Sequence, residues 1–260
     1  MATYQRSNQK SPYYLKRSVR SVLAQEYSEW ELFVTGDKYV NETEFKYIFR
    51  NVPANKLFLH NLEKPGERDK LSGINLWYCV GATAMNNALD RAEEKYRDSE
   101  KYRDNKLIIA HLDDDDTWHP SHLQNLVNAY NRFPSVSFVW SKGYYCASGR
   151  GDVYPLINVS NTINNKPPTI GLTLHSSVSW KMRTFHSFRY RRIWEYRDET
   201  PTVGDGDLWT RMTKFMLKKN INFYHSLAPT VEHLQERQSK PCTKANNQSS
   251  WYPDDNSFRD

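Results

Sequence analysis

The feature that most constrains this chain is an apolar run that ends in four consecutive carboxylates. Residues 107–112 read Leu-Ile-Ile-Ala-His-Leu, and Asp113, Asp114, Asp115 and Asp116 follow directly. A short apolar run bounded by turn residues is typical of a central strand in a parallel sheet that is covered on both faces. Open sheets of this kind bind ligands beyond the carboxyl ends of their strands. The sequence therefore predicts a ligand site just after residue 112.

The four adjacent negative charges favour a bound cation at this site. Like charges repel one another and are costly to remove from water unless a positive partner is present. A hard divalent ion such as Mg²⁺ or Mn²⁺ is commonly held by one or two carboxylates and completed by substrate phosphates. A solvated acidic loop is the alternative. The apolar strand before the acids and the helix start at Pro120 after them favour the metal site.

Strand-like and helix-like segments alternate along the first half of the chain. The predicted order is helix to about Gln25, strand 30–34, helix 42–50, strand 56–60, helix 76–96, strand 107–112, helix from Pro120 and strand 136–140. This alternation predicts an α/β fold with a mostly parallel central sheet flanked by helices.

The second half has a less regular pattern. Residues 146–169 are rich in Gly, Asn and Pro, which predicts an insertion or a flap. Residues 171–180 predict a strand, and residues 206–217 predict a helix with Asp205 at its start. The residues after 240 carry no apolar stripe and predict a tail.

Composition and charge narrow the possible functions. The chain has 260 residues, which suits one large core, and a net charge of +6, which favours anionic partners such as nucleotides. Its basic residues are interleaved with 30 acids, so they form no nucleic-acid signature. A nucleic-acid binder is a third possible function for a positively charged chain, but the acidic run at the predicted ligand site argues against it.

The sequence also indicates in which cellular compartment the protein is expected. The chain start lacks a signal-peptide pattern, and no segment reaches the roughly 18 to 20 apolar residues of a transmembrane helix, so a cytoplasmic protein is expected. Cys79, Cys146 and Cys242 lie far apart and form no CxxC pair. They therefore predict neither a disulfide framework nor a zinc site.

Four motifs, taken in chain order, resemble those of one known protein family. Residues 2–6 resemble the family's Pro-Thr-Tyr-Asn-Arg start, and Asp37 follows strand 30–34 where the family has an Asp-Asp pair. Residues 113–120 match its Asp-x-Asp-Asp-x-x-x-Pro metal site, and residues 204–211 resemble its Glu-Asp-x-Asp-Leu-Trp-x-Arg segment. The family is that of the inverting, nucleotide-sugar-dependent glycosyltransferases of family 2, which have a GT-A fold. The resemblance covers about residues 2 to 235 and is strongest to the spore-coat polysaccharide type.

The resemblance implies one GT-A domain over residues 1–240, with a nucleotide-binding half at about 1–140 and an acceptor-binding half at about 141–240. Residues 241–260 form the predicted C-terminal tail. The implied activity is metal-dependent transfer of a sugar from a nucleoside-diphosphate sugar, with UDP as the default donor nucleotide, to a hydroxyl of a glycan or other acceptor. The implied ion is Mn²⁺ or Mg²⁺, and the family inverts the anomeric centre.

Site residues carry over position by position. The resemblance implies that Thr3, Tyr4 and Arg6 contact the donor and that Asp37 accepts a hydrogen bond from a base N–H. Asp113 is implied to reach the donor ribose or sugar. Asp114 is implied to contact the ribose or a metal-bound water, with support of the fold as the alternative.

The metal and the general base follow in the same way. Asp115 is the implied principal metal ligand, and Asp113 assists it. His233 is the implied third ligand, with an ordinary surface histidine as the alternative. Asp205 is the implied general base, and Asp207 is its competitor.

Three departures keep a second function open. Gly36 replaces the first acid of the Asp-Asp pair, Gly204 replaces the Glu before Asp205, and no apolar strand precedes Thr3. These departures would suit a catalytically inactive nucleotide-sugar or glycan-binding module.

Overall fold

The computed structural model describes residues 1–67, 69–79, 81–147, 150–156, 160–196, 199–234, 243–244 and 251. Its helices are α1 (Ser11–Leu23), α2 (Glu42–Ile48), α3 (Gly73–Cys79), α4 (Ala82–Tyr96), α5 (Glu100–Arg103), α6 (His122–Arg132) and α7 (Gly204–Lys219). Its strands are β1 (Ala2–Thr3), β2 (Leu32–Gly36), β3 (Leu57–Asn61), β4 (Ile108–Ala110), β5 (Thr117–Trp118), β6 (Val136–Ala147), β7 (Arg150–Tyr154), β8 (Val178–Lys181), β9 (Asn222–Leu234) and β10 (Thr243–Lys244). Two 3₁₀ helices span His175–Ser177 and Ile193–Glu195.

The strands form two sheets, which confirms the predicted α/β class. β1, β2 and β3 form a parallel three-stranded sheet. The larger sheet has the order β10-β7-β6-β8-β4, and β9 pairs with β6 in parallel and with β5 in antiparallel orientation. Parallel pairing thus holds for part of the structure, because β8 pairs antiparallel with both β4 and β6.

Apolar faces of the helices bury against these sheets. α1 and α2 cover the small sheet through Leu15, Val19 and Phe45. The first turns of α7 cover the large sheet through Leu208 and Trp209, both of which are fully buried. Burial of a large apolar side chain stabilises a fold by about 1.5 to 3 kcal/mol, so these contacts fix the helix starts that face the ligand edge.

β1 supplies a strand where the sequence shows no apolar run. It has only two residues, but Asp37 N donates to Thr3 O at 2.7 Å, and Ala2 and Thr3 lie opposite Thr35 and Gly36. Thr3 is therefore held beside the carboxyl end of β2. The residues before Thr3 are paired through backbone groups, which hydropathy does not report.

Three other predictions are corrected. The predicted helix 76–96 is divided into α3 and α4, because Gly81 has a φ of 75°. The predicted strand 171–180 is a 3₁₀ helix followed by β8. Cys146 is disulfide-bonded, a bond that the wide spacing of the cysteines did not indicate, while Cys79 is free and buried. The predicted tail lies outside the described residues, apart from residues 243–244 and 251.

None of the helices that the structure describes is long and apolar enough to cross a membrane.

Candidate active site

A cavity of about 700 Å³ lies at the ends of β1, β2 and β4. Its walls contain eight of the nine predicted site residues: Thr3, Tyr4, Arg6, Asp37, Asp113, Asp114, Asp115 and Asp205. The ninth, His233, lies behind the acidic run, against Asp116. Residues that are more than 200 positions apart in the sequence thus meet in one cavity.

Asp37 marks one end of the cavity. It follows β2 directly, and its Oδ1 accepts a hydrogen bond from Gly66 N at 2.6 Å. The glycine before it has a packing reason, since a Cβ at Gly36 would lie 2.9 Å from Phe45 Cζ and 3.0 Å from Asn61 Oδ1. The first acid of the family's pair therefore has no room in this chain.

Asp114 is held by the N-terminal motif. Its two oxygens accept hydrogen bonds from Arg6 Nη1 and Nη2 at 2.9 and 2.7 Å, and Thr3 Oγ1 donates to it at 2.6 Å. The Arg6 guanidinium also lies over the Tyr4 ring, 4.4 Å from its centroid. These contacts favour the supporting role for Asp114 and join the first motif to the acidic run.

Asp113 and His175 contact each other in the wall of the cavity. Its Oδ1 lies 2.6 Å from His175 Nδ1, and its backbone N donates to Ser176 Oγ at 2.9 Å. Burial opposes ionisation of Asp113, but the charge and hydrogen bond of His175 outweigh it and lower the pKa of this carboxyl. Burial likewise opposes protonation of His175, and Asp113 outweighs it and raises the pKa of the imidazole.

Asp115 is the member of the run with the most unfavourable electrostatic surroundings. Burial raises its pKa well above the usual value, and the carboxylates of Asp114, Asp116 and Asp113 raise it further. Arg6 Nη2 lies 3.5 Å from its Oδ2 and offsets only part of this effect. A cation bound at Asp115 would relieve the repulsion.

Asp116 supports the fold. It is fully buried and accepts hydrogen bonds from Ser176 Oγ at 2.6 Å and from Leu234 N at 2.9 Å. His233 Nδ1 lies 3.1 Å from its Oδ1. Burial opposes protonation of His233, but Asp116 and the neighbouring acids outweigh it and raise its pKa to about 9. The contact favours an ion pair, and the role of His233 as a metal ligand stays a prediction.

The two acids at the start of α7 differ in their surroundings. Asp205 lines the cavity, its Oδ1 accepts a hydrogen bond from Gly206 N at 2.7 Å, and burial raises its pKa. Asp207 instead faces two guanidinium groups, with Arg191 Nε at 3.1 Å and Arg211 Nε at 2.7 Å. Of the two, Asp205 is the acid available to a ligand in the cavity.

Three successive residues that support the cavity wall were not identified from the sequence: Tyr190, Arg191 and Arg192. The Tyr190 hydroxyl lies 2.6 Å from His175 Nε2, and Arg191 bonds Asp207. Arg192 Nε donates to Thr83 Oγ1 at 3.2 Å. No family motif covers these residues and they have no periodic pattern, so the sequence offered no signal for them.

Comparisons with known proteins agree with this geometry. No family model matches the sequence. The uncharacterized glycosyltransferase R139 of Acanthamoeba polyphaga mimivirus is 31% identical over 220 residues, which cover 84% of this chain and 84% of that protein. Protein CgeD of Bacillus subtilis is 30% identical over 135 residues, which cover 50% of this chain and 26% of CgeD.

A solved structure has the same fold. The crystal structure of S. aureus TarS 1-349 in complex with UDP superposes with a TM-score of 0.58 at 16% identity, covering 89% of this chain and 58% of that one. The fold similarity and the match along most of the viral protein agree with the motif order. The chain therefore belongs to the glycosyltransferases, with a fold of the GT-A type.

Proposed function

We propose that this glycosyltransferase moves a sugar from a nucleoside-diphosphate sugar to a hydroxyl of a glycan or other acceptor, with a divalent ion and with inversion at the anomeric carbon. The observation that carries the proposal is that Asp37, Asp113, Asp115 and Asp205 come from distant parts of the chain and line a single cavity. Carboxylates at these positions can accept a hydrogen bond from a base, hold an ion and accept the proton of a hydroxyl group.

The nucleoside end of the donor would bind at the carboxyl ends of β1 and β2, where Tyr4 and Asp37 line the cavity. Asp37 is suited to accept a hydrogen bond from a base N–H, and the Tyr4 ring offers an apolar face beside it. Thr3 and Arg6 act mainly by holding Asp114. The UDP bound to TarS, which has the same fold, supports UDP as the donor nucleotide.

The residues present fit a hard divalent ion at Asp115 and Asp113. Carboxylate oxygens are the ligands that Mg²⁺ and Mn²⁺ prefer, and the pKa of Asp115 is raised by burial and then by the neighbouring carboxylates. Within the described ranges, no three His, Cys, Asp or Glu side chains are arranged to hold a metal by themselves. Diphosphate oxygens would complete the site. When bound, the ion neutralises the charge that develops on the leaving diphosphate.

Asp205 would act as the general base. Its carboxylate accepts the proton of the acceptor hydroxyl while the new carbon–oxygen bond forms and the bond to the diphosphate breaks. Burial raises its pKa, which makes it a stronger base than an exposed aspartate. If Asp205 and the diphosphate lie on opposite faces of the sugar, the configuration at the anomeric carbon is inverted.

The test is a transfer assay with a panel of nucleoside-diphosphate sugars and glycan acceptors, with Mn²⁺, with Mg²⁺ and with chelator. We expect activity that needs the ion, strong losses in Asp115→Ala and Asp205→Asn, and no loss in Asp104→Asn, which alters an acid exposed on the surface. The configuration of the product is read by NMR.

Each part of the proposed function can be contradicted by a specific result. Full activity of Asp115→Ala or in chelator would reject the metal assignment, and a product of retained configuration would reject inversion. Binding of nucleoside diphosphates without product from any donor and acceptor pair would favour the catalytically inactive binding module.

A further inference from the structure

We infer that Tyr190 is a positioning residue that acts through His175 to fix the Asp113 carboxylate in the donor site. The inference rests on the proposed function. It adds a residue outside all four motifs, on the segment between β8 and α7, whose hydroxyl is one contact removed from the cavity.

The geometry is a continuous chain of hydrogen bonds. Asp113 Oδ1 lies 2.6 Å from His175 Nδ1, and His175 Nε2 lies 2.6 Å from the Tyr190 hydroxyl. The same hydroxyl lies 3.1 Å from His111 Nδ1. Asp113 and His175 both line the cavity, and Tyr190 lies behind them. His175 and Tyr190 are buried, with exposures of 7% and 1%.

The contact between His175 and Asp113 can be kept in either protonation state of His175. When the imidazole is neutral and donates to Asp113, its Nε2 accepts from Tyr190, which in turn accepts from His111 Nδ1–H. When the imidazole is charged, Nε2–H donates to Tyr190, which then donates to His111 Nδ1. The hydroxyl can donate in either direction, so the Asp113 contact is kept in both states.

The position of Tyr190 is itself fixed by its backbone. Asn86 on α4 donates to Tyr190 O at 2.8 Å and accepts from Tyr190 N at 2.8 Å. The following residue, Arg191, bonds Asp207 on α7. The hydroxyl therefore occupies a set place relative to both the cavity wall and the base-bearing helix. A partner held in this way orients a ligand better than a mobile side chain or water would.

The experiment compares Tyr190→Phe with Tyr130→Phe. Both variants remove a hydroxyl from a buried tyrosine that has a hydrogen-bond partner, and Tyr130 bonds Ser179 instead, at 3.1 Å. Calorimetric titration with UDP in the presence of Mn²⁺ measures donor-site affinity without turnover, and thermal unfolding measures stability.

We expect Tyr190→Phe to weaken UDP binding by about tenfold, the lower end of the effect of removing partners behind a metal ligand, and Tyr130→Phe to bind as the wild type does. Similar unfolding temperatures in the two variants would assign the difference to the site. The donor KM should rise in Tyr190→Phe when turnover is assayed.

A double-mutant cycle tests whether Tyr190 acts on Asp113 through His175. His175→Asn keeps an amide donor near the place of Nδ1 but cannot reach Tyr190, so adding Tyr190→Phe to it should have no further effect on affinity. An undiminished effect of Tyr190→Phe in that background would overturn the inference. If Tyr190→Phe folds poorly, His175→Asn and His175→Gln decide, since only the first keeps the Asp113 contact and should bind UDP more tightly. The reverse order would overturn the inference.

The failure of the inference and of the proposed function give different results. Equal UDP affinity of the wild type and Tyr190→Phe overturns the inference alone. A wild-type protein that binds none of several nucleoside diphosphates with Mn²⁺ overturns both.

Discussion

Arg6 and Asp114 form a buried ion pair with two hydrogen bonds, Nη1 to Oδ2 at 2.9 Å and Nη2 to Oδ1 at 2.7 Å. The pair joins the start of the chain to the acidic run, which lies 108 residues further on. Its geometry requires the planar fork of an arginine, because a lysine offers a single point charge. The pair also brings a guanidinium within 3.5 Å of Asp115.

The first prediction concerns Arg6→Lys. The variant keeps the charge and loses the two-point contact, so we expect the free energy of unfolding to fall by about 1 to 3 kcal/mol, as for a buried polar group left unpaired. Urea unfolding measures the change. Arg50→Lys, at an exposed arginine, should stay within about 0.5 kcal/mol of the wild type. An equally small effect at Arg6 would show that the two-point contact of the guanidinium does not contribute to stability.

The second prediction is that Asp205→Asn separates activity from stability. Loss of the base should lower kcat by about 10²- to 10⁴-fold. Burial raises the pKa of Asp205 in the folded state, so the ionised carboxylate destabilises the fold at neutral pH, and the neutral amide should raise the unfolding temperature there. The gain should shrink as the pH falls through the raised pKa, because Asp205 then becomes protonated. A less stable variant at pH 7 would contradict this reading.

The same ionisation predicts the pH dependence of turnover. The rate should rise with pH as Asp205 loses its proton, and the midpoint of this limb should lie above the usual aspartate range, in the direction that burial dictates. The pH profile of kcat for the wild type checks this. A rate that stays flat down to the usual pKa of an exposed aspartate would exclude Asp205 as the base.

The third variant, Asp207→Asn, should show the opposite behaviour to Asp205→Asn. Its carboxylate is 5% exposed and lies between Arg191 and Arg211, so the change removes the buried negative charge that both guanidinium groups share. Arg191 keeps its contact with Glu199. We expect a loss of about 2 kcal/mol in the free energy of unfolding, below the roughly 3 to 5 kcal/mol of fully buried pairs because both arginines reach solvent. The fall in kcat should be far smaller than for Asp205→Asn. A larger fall would make Asp207 the base.

The fourth variant, Gly36→Asp, restores the family's acid pair. A side chain there meets the Phe45 ring and the Asn61 amide, so we expect a loss of about 1 to 3 kcal/mol from overpacking and no gain in UDP affinity. Gly73→Ala is a useful comparison, because Gly73 has open space but a φ of 57°, so its variant reports backbone strain alone. A Gly36→Asp protein as stable as the wild type would show that Phe45 can move aside.

Much of the site could be predicted from the sequence, because its residues carry charge in short motifs. The acidic run after an apolar strand and the Asp205 segment specify their own chemistry. The placement of the run was not predicted, because β4 pairs antiparallel with β8 and lies outside the parallel sheet of β1, β2 and β3. The sequence left the role of Asp114 open between the ligand and the fold, because it does not show the contact with Arg6, 108 residues away. It likewise does not show that Leu234 N binds Asp116 or that Arg191 binds Asp207. Hydrogen bonds between distant side chains leave no periodic signal.

The fold was predictable to a similar degree. Helical and strand periodicity located α1, β2, α2, β3 and α6 close to their observed bounds. Periodicity does not report strand direction, so the antiparallel pairing of β8 with β4 and β6 was missed. It also cannot detect β1, which is too short for a pattern and is stabilised by backbone pairing with β2.

Three successive residues, Tyr190, Arg191 and Arg192, are each anchored to a different neighbour: the cavity wall, α7 and α4. Their backbone is thereby secured before the chain continues to Val203 at the cavity rim. Substitutions after Arg192 can reshape that rim while the carboxylates stay where they are. Under the proposed function, such substitutions would change which acceptors fit beside Asp205 without altering the donor site.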